Sequence, residues 1–379
     1  MNPPSNQPGE CVSLPLANVP GLAELLAALS DKSCTIRAEG KGENKGQGPA
    51  FLIAADSDDP LALHKFQQVQ GKNAMGFVNY TDVSRLLATL AQAVANFRLN
   101  LGEVPLFAFG GKHGNVCGGA FTTDHRTATD LLAQMLEGDL LAIFGGFIIV
   151  NFPIDKECAE TIIRHKMPDK RRRMIEGVIA PSFTDEAKKV LADKNGRCKL
   201  LANPALSDSD LKRSSEWRLV QVRGAWLAQK PATYVPDFRL SAENYIEFMT
   251  ARPNPWQIRD MLLADAVCRT SNSNTITIAD RGRIVANATG QQSRVAAAEL
   301  AIANATRSGH DLRGTSAVGD SFFPFTDAVN ALIVAGVNAI LTSSGADRDD
   351  EVIELCKMKE VALGMCPDDV FRGFSNHSG

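Results

Sequence analysis

The sequence predicts an α/β protein in which helices pack against layered sheets. Short apolar runs typical of strands alternate with amphipathic runs typical of helices along most of the 379 residues. The succession helix–strand–helix occurs at 126–168 and again at 324–360, which indicates two similar units with a boundary between 200 and 235. Hydrophobic residues make up 44% of the chain and charged residues 22%, as in an ordinary globular protein.

Each predicted element follows from its periodicity and from the residues that begin and end it. A capping Thr81 or Asp82, for example, marks the start of a helix with an apolar stripe. In the first half, helices are predicted at 21–30, 81–97, 126–139, 155–167 and 184–194, and strands at 49–55, 104–111, 140–152 and 176–183. In the second half, residues 211–238 read as strands and connections, followed by a helix at 255–270, a strand hairpin at 275–290, a helix at 292–307, a helix and then a strand within 325–344, and a helix at 349–361.

The bulk composition excludes several classes of function. A net charge of −3 and a pI near 6.1 give no reason to expect nucleic-acid binding. The short basic run at 170–174 looks helical, and we interpret it as a solvated face or a local contact with an anion or partner. No apolar run approaches the roughly 20 residues that span a bilayer. The eight cysteines lack metal-ligand spacing, so we expect reduced thiols, no bound metal and a cytoplasmic location.

Lys112 and His113 directly follow an apolar strand, within the glycine-rich stretch FGGKHGNVCGGAF at 109–121. In α/β sheets, ligands collect at the carboxyl ends of strands. A lysine ammonium beside an imidazole favours the neutral ring, which can accept a proton while the lysine stabilises developing negative charge. A solvated lysine and a hydrogen-bonded structural histidine are the alternative, which this stretch taken alone favours.

Four other stretches each allow a functional and a structural interpretation. The glycine-rich segment at 39–49 is either a phosphate cradle or a flexible loop. Residues 271–274 contain an asparagine that either stabilises an oxyanion or forms a turn, and residues 290–294 either bind an anion or cap a helix. The sequence DSFFPFTD at 320–327 either stacks on a flat ligand, with Asp327 on its amines, or forms a hydrophobic staple.

Taken together and in this order, these motifs resemble the transformylase portion of the bifunctional purine enzymes. Those enzymes carry 5-aminoimidazole-4-carboxamide ribonucleotide (AICAR) transformylase and inosinate cyclohydrolase activities. The matching segments are Lys112 to Gly118, Phe144 to Gly146, VIAPSF at 178–183, Ser273–Asn274, Gly290 to Arg294, DSFFPFTD at 320–327 and GFVNYTD with Asn79. The resemblance covers the chain from about residue 36 to its end.

The resemblance implies two tandem cytidine-deaminase-like units, each a three-layer α/β/α structure. They would occupy residues 36–205 and 206–379, after an extension at 1–35. The resemblance also implies a homodimer with shared active sites and no catalytic zinc, and it leaves a structural monovalent cation open. Because only about 35 residues precede the match, we expect a separate protein to carry the cyclohydrolase activity.

The implied reaction passes a formyl group from 10-formyltetrahydrofolate to the 5-amino group of AICAR. His113 would be the base, and Lys112 and Asn274 would stabilise the oxyanion. The implied substrate-binding residues are Arg37, Lys41, Asn44, Asn79, Phe144, Gly145, Arg294, Phe322, Pro324, Asp327, Arg372 and His377.

Several positions depart from the family pattern. The family's Arg-Tyr-Gly-Glu-Asn-Pro-His-Gln is GKGENKGQ at 40–47, so Arg37 and Lys41 become candidates for the phosphate contact. The proline of the Lys-His motif is Val116, and the C-terminal histidine, His377, lies one place late. The departures leave two alternatives open: a transformylase-like enzyme acting on a different amino-nucleotide, and a non-catalytic homologue that binds a nucleotide or a folate.

Overall fold

The computed structural model describes residues 35–38, 42–44, 46–47, 51–54, 58–122, 125–168, 171–214, 217–239 and 246–371. The strands are β1 (Thr35–Ala38), β2 (Phe51–Ala54), β3 (Gln67–Gln70), β4 (Phe107–Lys112), β5 (Asn115–Phe121), β6 (Phe147–Val150), β7 (Gly177–Ala180), β8 (Lys199–Ala202), β9 (Arg218–Val222), β10 (Ala225–Gln229), β11 (Glu247–Phe248), β12 (Ile276–Asp280), β13 (Arg283–Ala288), β14 (Ser316–Gly319), β15 (Ala339–Ser344) and β16 (Ala362–Pro367). The helices are α1 (Phe77–Leu101), α2 (Ala128–Glu137), α3 (Lys156–Arg164), α4 (Asp185–Leu191), α5 (Pro255–Arg269), α6 (Arg294–Arg307), α7 (Asp327–Ala335), α8 (Asp349–Met358) and α9 (Asp368–Phe371). The helix predicted at 21–30 lies outside the described residues.

A mixed sheet of twelve strands runs through the described chain, in the order β11-β16-β15-β14-β12-β13-β5-β4-β6-β7-β8-β3. Its two halves have the same pattern. In the first, the hairpin β4–β5 is followed by β6, antiparallel to β4, and then by the parallel strands β7 and β8. In the second, β12–β13 is followed by β14, antiparallel to β12, and then by the parallel strands β15 and β16. The halves meet where β13 lies beside β5, so the predicted α/β class is confirmed as one large mixed sheet.

Helices cover both faces of this sheet. Helices α1 and α5 pack together on one face, over side chains such as Phe107 and Phe109. On the opposite face, α2, α3 and α4 cover the first half of the sheet, and α6, α7 and α8 cover the second half. Ala108 belongs to that opposite core, because successive side chains of a strand point to opposite faces. Among the described helices, none is both long and apolar enough to cross a bilayer.

Several predicted boundaries are wrong, and strands β5, β8, β14 and β16 lie in no predicted range. Two of the boundary errors have a clear local cause. Helix α1 begins at Phe77 rather than at 81, because the Asn79 side chain accepts the Gly76 N–H at 3.0 Å and builds the cap one turn earlier. The strand predicted at 140–152 is limited to Phe147–Val150, because the Asp139 carboxylate accepts the N–H groups of the two residues at 141 and 142 and holds a turn there.

The basic run at 170–174 is not a helix over its described residues. Arg172 donates to the carbonyls of residues 191 and 192, at the C-terminus of α4. Arg173 is buried and donates to the carbonyls of Ile162 and His165, at the C-terminus of α3. Because helix C-termini carry partial negative charge and unpaired carbonyls, these two guanidinium groups cap helices instead of forming a solvated face.

Candidate active site

Lys112 and His113 lie at the tip of the β4–β5 hairpin. The strands are joined by a two-residue turn, His113–Gly114, and both residues are left-handed, with φ of 56° and 69°. Two-residue hairpin turns of this kind fit the twist of the flanking strands, but they normally use Asn-Gly or Gly-Gly. A histidine at the first position is unusual, and it leaves the His113 side chain exposed beside the end of β4.

The structure brings Lys112, Phe144 and Gly145 together. The Lys112 ammonium donates to the Phe144 carbonyl oxygen at 3.0 Å. Gly145 has a φ of 76°, and its N–H donates to the Met174 carbonyl at 2.8 Å, so glycine is the residue that fits this turn. The Phe144 ring is 44% exposed, which leaves it available to a ligand.

Asn79 lies in the first turn of α1 and reaches the same region through Glu176. Its Nδ2 donates to Glu176 Oε1 at 3.4 Å, and Lys199, which is almost fully buried, forms an ion pair with the same oxygen at 2.6 Å. Sequence reasoning missed both Glu176 and Lys199. Glu176 directly precedes β7, at the start of the strand predicted at 176–183, and that position was the available signal.

Asp82 is a third residue that sequence reasoning did not assign to the site. Its Oδ1 accepts the N–H of Gly114 at 2.6 Å, so a carboxylate of α1 holds the turn that carries His113. Burial raises the pKa of the Asp82 carboxyl, while the Gly114 N–H and the nearby His113 and Lys112 act to lower it.

Asn274 and Arg294 form a second group of site residues in the other half of the chain. Asn274 exchanges both backbone hydrogen bonds with Gln291, and its Nδ2 donates to the Gln291 carbonyl at 2.9 Å. The Arg294 guanidinium donates to Asn274 Oδ1 at 2.6 Å, so the arginine orients the asparagine amide.

Arg294 also contacts the loop that precedes α7. Its guanidinium lies 5.7 Å from the centre of the Phe322 ring, and its Nε donates to the Ser321 carbonyl at 3.4 Å. Phe322 is half-buried, whereas Pro324 and Asp327 are exposed at the start of α7. Phe323, rather than Phe322, is the ring of this loop that enters the core.

The predicted site residues therefore occupy two clusters. We call Lys112, His113, Phe144, Gly145 and Asn79 the Lys–His cluster, and Asn274, Arg294 and Phe322 the Asn–Arg cluster. A hydrogen bond links residues next to the two clusters: the N–H of Asn272, two residues before Asn274, donates at 3.3 Å to Oδ1 of Asn115, which follows the His113–Gly114 turn.

A cavity of about 340 Å³ opens beside the Lys–His cluster, between the two halves of the chain. Its polar lining residues are Lys112, His113, Asn115, Asp139, Asn287, Thr289 and Asn304. Cys117 also lines it, and burial raises the pKa of this thiol to about 12, so at neutral pH it is not a thiolate nucleophile. The volume is in the range of small-molecule sites, and amide and hydroxyl groups dominate its polar wall.

Over the part of the chain that the structure describes, no group of three or more His, Cys, Asp or Glu side chains is arranged to hold a metal ion. Oxygen atoms do converge beside Asn274. Both carboxylate oxygens of Asp320 and the Ser273 hydroxyl are buried, and among the described residues none of them makes a hydrogen bond of ordinary length and angle. Burial raises the pKa of the Asp320 carboxyl. The Arg294 guanidinium lies 3.7 Å from Asp320 Oδ1, so the chain itself already places a positive charge beside these oxygens.

Five predicted substrate residues lie apart from these clusters or outside the described atoms. The Asn44 side chain is exposed and donates to Gln47 Oε1 at 2.9 Å, a contact within its own loop. The backbone of Arg37 lies in β1, but its side chain is outside the described atoms. Lys41, Arg372 and His377 lie outside the described residues.

Comparison with known proteins identifies similar sequences. A sequence model of the AICARFT/IMPCHase bienzyme family matches residues 26–304. The bifunctional purine biosynthesis protein PurH of Polynucleobacter asymbioticus is 30% identical over 326 residues, and that of Acidithiobacillus ferrooxidans is 33% identical over 323 residues. Each alignment covers 85% of this chain and 56% of the relative, so the chain spans little more than half the length of these proteins.

Proposed function

Because the chain belongs to the AICARFT/IMPCHase bienzyme family, we propose that it transfers a formyl group from 10-formyltetrahydrofolate to the 5-amino group of AICAR. The observation that carries the proposal is the Lys112–His113 turn beside the 340 Å³ cavity. A non-glycine residue held in a left-handed turn, next to a ligand-sized cavity, is the kind of local strain that accumulates at functional sites.

The reaction needs a proton acceptor, because an aromatic amine beside a carboxamide is a weak nucleophile. His113 takes the amine proton as the nitrogen attacks the formyl carbon. The proton then passes to the nitrogen of the donor as its bond to the formyl carbon breaks. The folate supplies only the formyl group, so the remaining chemistry consists of proton transfer and charge stabilisation.

Lys112 stabilises the formyl oxygen as it becomes negative. Of its three N–H groups, one is donated to the Phe144 carbonyl and holds the ammonium beside Gly145. The remaining two are available to an oxyanion, and preorganised donors of this kind account for a large part of catalysis in acyl transfer.

Asn274 is proposed as a second oxyanion donor. One N–H of its amide is donated to Gln291, and the other can reach a ligand. Because Arg294 holds Asn274 Oδ1, the amide nitrogen faces a defined direction.

The substrate contacts are proposals of the same kind. Phe144 and Gly145 would pack on the imidazole of the nucleotide, and Phe322, Pro324 and Asp327 would line the base and folate pocket. The other residues proposed to contact substrate are Arg37, Lys41, Asn44, Asn79, Arg294, Arg372 and His377.

We propose that residues 36–205 and 206–379 are tandem cytidine-deaminase-like units, which the repeated strand pattern supports. A homodimer with shared active sites is supported by the exposed apolar side chains of Leu141, Phe144 and Met174, of which Phe144 lies beside Lys112. A structural monovalent cation is also proposed, with the buried oxygens of Asp320 and Ser273, next to Arg294, as its candidate ligands. We place the reaction in the cytoplasm, in line with six free cysteines among the described residues.

A spectrophotometric assay of tetrahydrofolate release, with AICAR and 10-formyltetrahydrofolate, tests the proposal. We expect turnover by the wild type and a loss of about 10²- to 10⁴-fold in kcat for His113→Ala. His125→Ala, which removes another exposed histidine, should keep full activity. Absence of turnover in the wild type, or full turnover in His113→Ala, would contradict the proposal. Thermal stabilisation by AICAR without turnover would instead favour a binding homologue.

A further inference from the structure

Asp82 is a buried carboxylate that contacts the turn carrying His113. It lies in the second turn of α1, and it has little exposed surface because α1 packs closely against the sheet. Its Oδ1 accepts the N–H of Gly114 at 2.6 Å, and Gly114 directly follows His113. A charge-assisted hydrogen bond of this length is among the stronger contacts available to a turn.

The turn needs such a contact, because its own strands do not hold it firmly. A left-handed φ at His113 costs free energy relative to glycine at the same position. The β4–β5 ladder also shifts register between Gly110 and Gly111, just before the tip. The last strand pairs before the turn therefore hold the tip less firmly than a regular ladder would.

The charged groups around Asp82 lie on the β4–β5 hairpin, beside β7 and on β8. His113 and Lys112 on the hairpin are attracted to its carboxylate, and Glu176 beside β7 repels it. Glu176 is itself paired with Lys199 of β8 at 2.6 Å. Asp82 is thus influenced by both the proposed base and Glu176, and its hydrogen bond to this hairpin is made to Gly114, the residue after the base.

We infer that Asp82 is a positioning residue, which fixes the His113–Gly114 turn and so presents the His113 imidazole to the acceptor amine in one orientation. The kinetic consequence rests on the proposed function. The structural consequence does not, because it concerns only the turn and the imidazole.

Without the Asp82 carboxylate, the Gly114 N–H loses its partner and the turn can adopt other conformations. A misplacement of a catalytic group by about 1 Å costs on the order of 100-fold in rate. We therefore expect Asp82→Ala to lower kcat by about 10- to 100-fold, while KM for AICAR changes by less than about 3-fold. Asp82→Asn keeps an oxygen that accepts the Gly114 N–H, so its kcat should remain within about 5-fold of the wild type.

Thr81→Ala is the matched control. Thr81 precedes Asp82 on α1, is exposed, and donates its hydroxyl only to the Val78 carbonyl of its own helix at 2.8 Å. Its kcat and KM should equal those of the wild type. Full kcat in Asp82→Ala would overturn the inference, as would an Asp82→Asn variant that is as impaired as Asp82→Ala.

A double variant separates positioning from general loss of structure. If Asp82 acts through His113, adding Asp82→Ala to His113→Ala should leave the residual activity of His113→Ala unchanged, because the group being positioned is already absent. Additive losses would mean that Asp82 acts elsewhere, and would overturn the inference.

A measurement without turnover keeps the inference testable if the chain acts on another substrate. In the wild type, hydrogen exchange at the Gly114 amide should be at least about 10-fold slower than in Asp82→Ala, since a hydrogen-bonded amide must open before it exchanges. Identical exchange in the two proteins would overturn the inference, whereas a wild type without formyl transfer but with slower Gly114 exchange than Asp82→Ala would contradict only the proposed function.

Discussion

Replacing Asp260 with asparagine is expected to remove a pH dependence from the stability of the folded chain. Asp260 is buried on α5, where its carboxylate accepts the N–H groups of Gly282 at 2.7 Å and Arg281 at 2.9 Å, in the β12–β13 turn. The same turn also contacts the first half of the chain, because the Phe121 N–H donates a hydrogen bond to the Gly282 carbonyl. Burial raises the pKa of the Asp260 carboxyl to about 7, against the lowering effect of these backbone hydrogen bonds.

The raised pKa fixes the sign of the effect. The folded chain holds the Asp260 proton more tightly than the unfolded chain does, so this group's contribution to stability is fully present below about pH 4 and is lost as the pH rises through about 7. One pKa unit corresponds to about 1.36 kcal/mol. Between about pH 4.5 and 7.5, the wild type should therefore lose on the order of 3 kcal/mol relative to Asp260→Asn, which has no proton to release.

Urea unfolding measures the free energy of unfolding of the wild type and of Asp260→Asn at each pH in this range. Subtracting one from the other cancels the contributions of all other titrating groups, which the two proteins share. The asparagine amide makes different hydrogen bonds from the carboxylate, and this shifts the difference in unfolding free energy by the same amount at every pH. The ionisation of Asp260, in contrast, makes that difference change with pH. Ser316→Ala, which removes a neutral buried hydroxyl near α5, should show a constant offset at every pH. A difference between wild type and Asp260→Asn that stays flat would refute the reasoning.

Two further predictions concern carboxylates elsewhere in the chain. Asp265→Asn should lower the free energy of unfolding by about 3–5 kcal/mol in urea titrations, because it leaves the buried Arg269 guanidinium without its ion-pair partner at 2.7 Å; an unchanged midpoint would contradict this. Asp368→Ala should cost about 1–3 kcal/mol, because Oδ1 accepts the hydroxyls of Ser321 at 2.7 Å and Ser343 at 2.6 Å and both lose their acceptor. If the single variant Ser343→Ala loses as much stability as Asp368→Ala, the contact between Ser321 and Asp368 contributes nothing.

Most helices and about half of the strands could be read from the sequence because they depend on local periodicity, whereas β5, β8, β14 and β16 lie in no predicted range. The hairpin at 275–290 and the helix at 255–270 lie within a few residues of β12–β13 and α5. Local reasoning failed where a distant residue decided the structure. Arg172 and Arg173 look like a solvated run, yet they cap the helices on either side of them in the chain, through carbonyls 8 to 20 residues away.

The candidate site divides in the same way. Lys112, His113 and Asn274 could be proposed from their own neighbours, because glycines, strand ends and motif order are local features. Asp82 and Glu176 could not, since their roles depend on contacts across 32 and 97 residues of chain.

The sequence by itself determined the α/β class, the repeated helix–strand–helix pattern and the residues of the Lys–His turn, because periodicity and short motifs are written in neighbouring residues. Only the tertiary structure decided that the two halves join into one sheet at β5 and β13, and that a buried carboxylate of α1 holds the turn. The physical reason is that strand pairing between halves and the pairing of buried charges are made by residues far apart in the chain, whose separation no local pattern encodes.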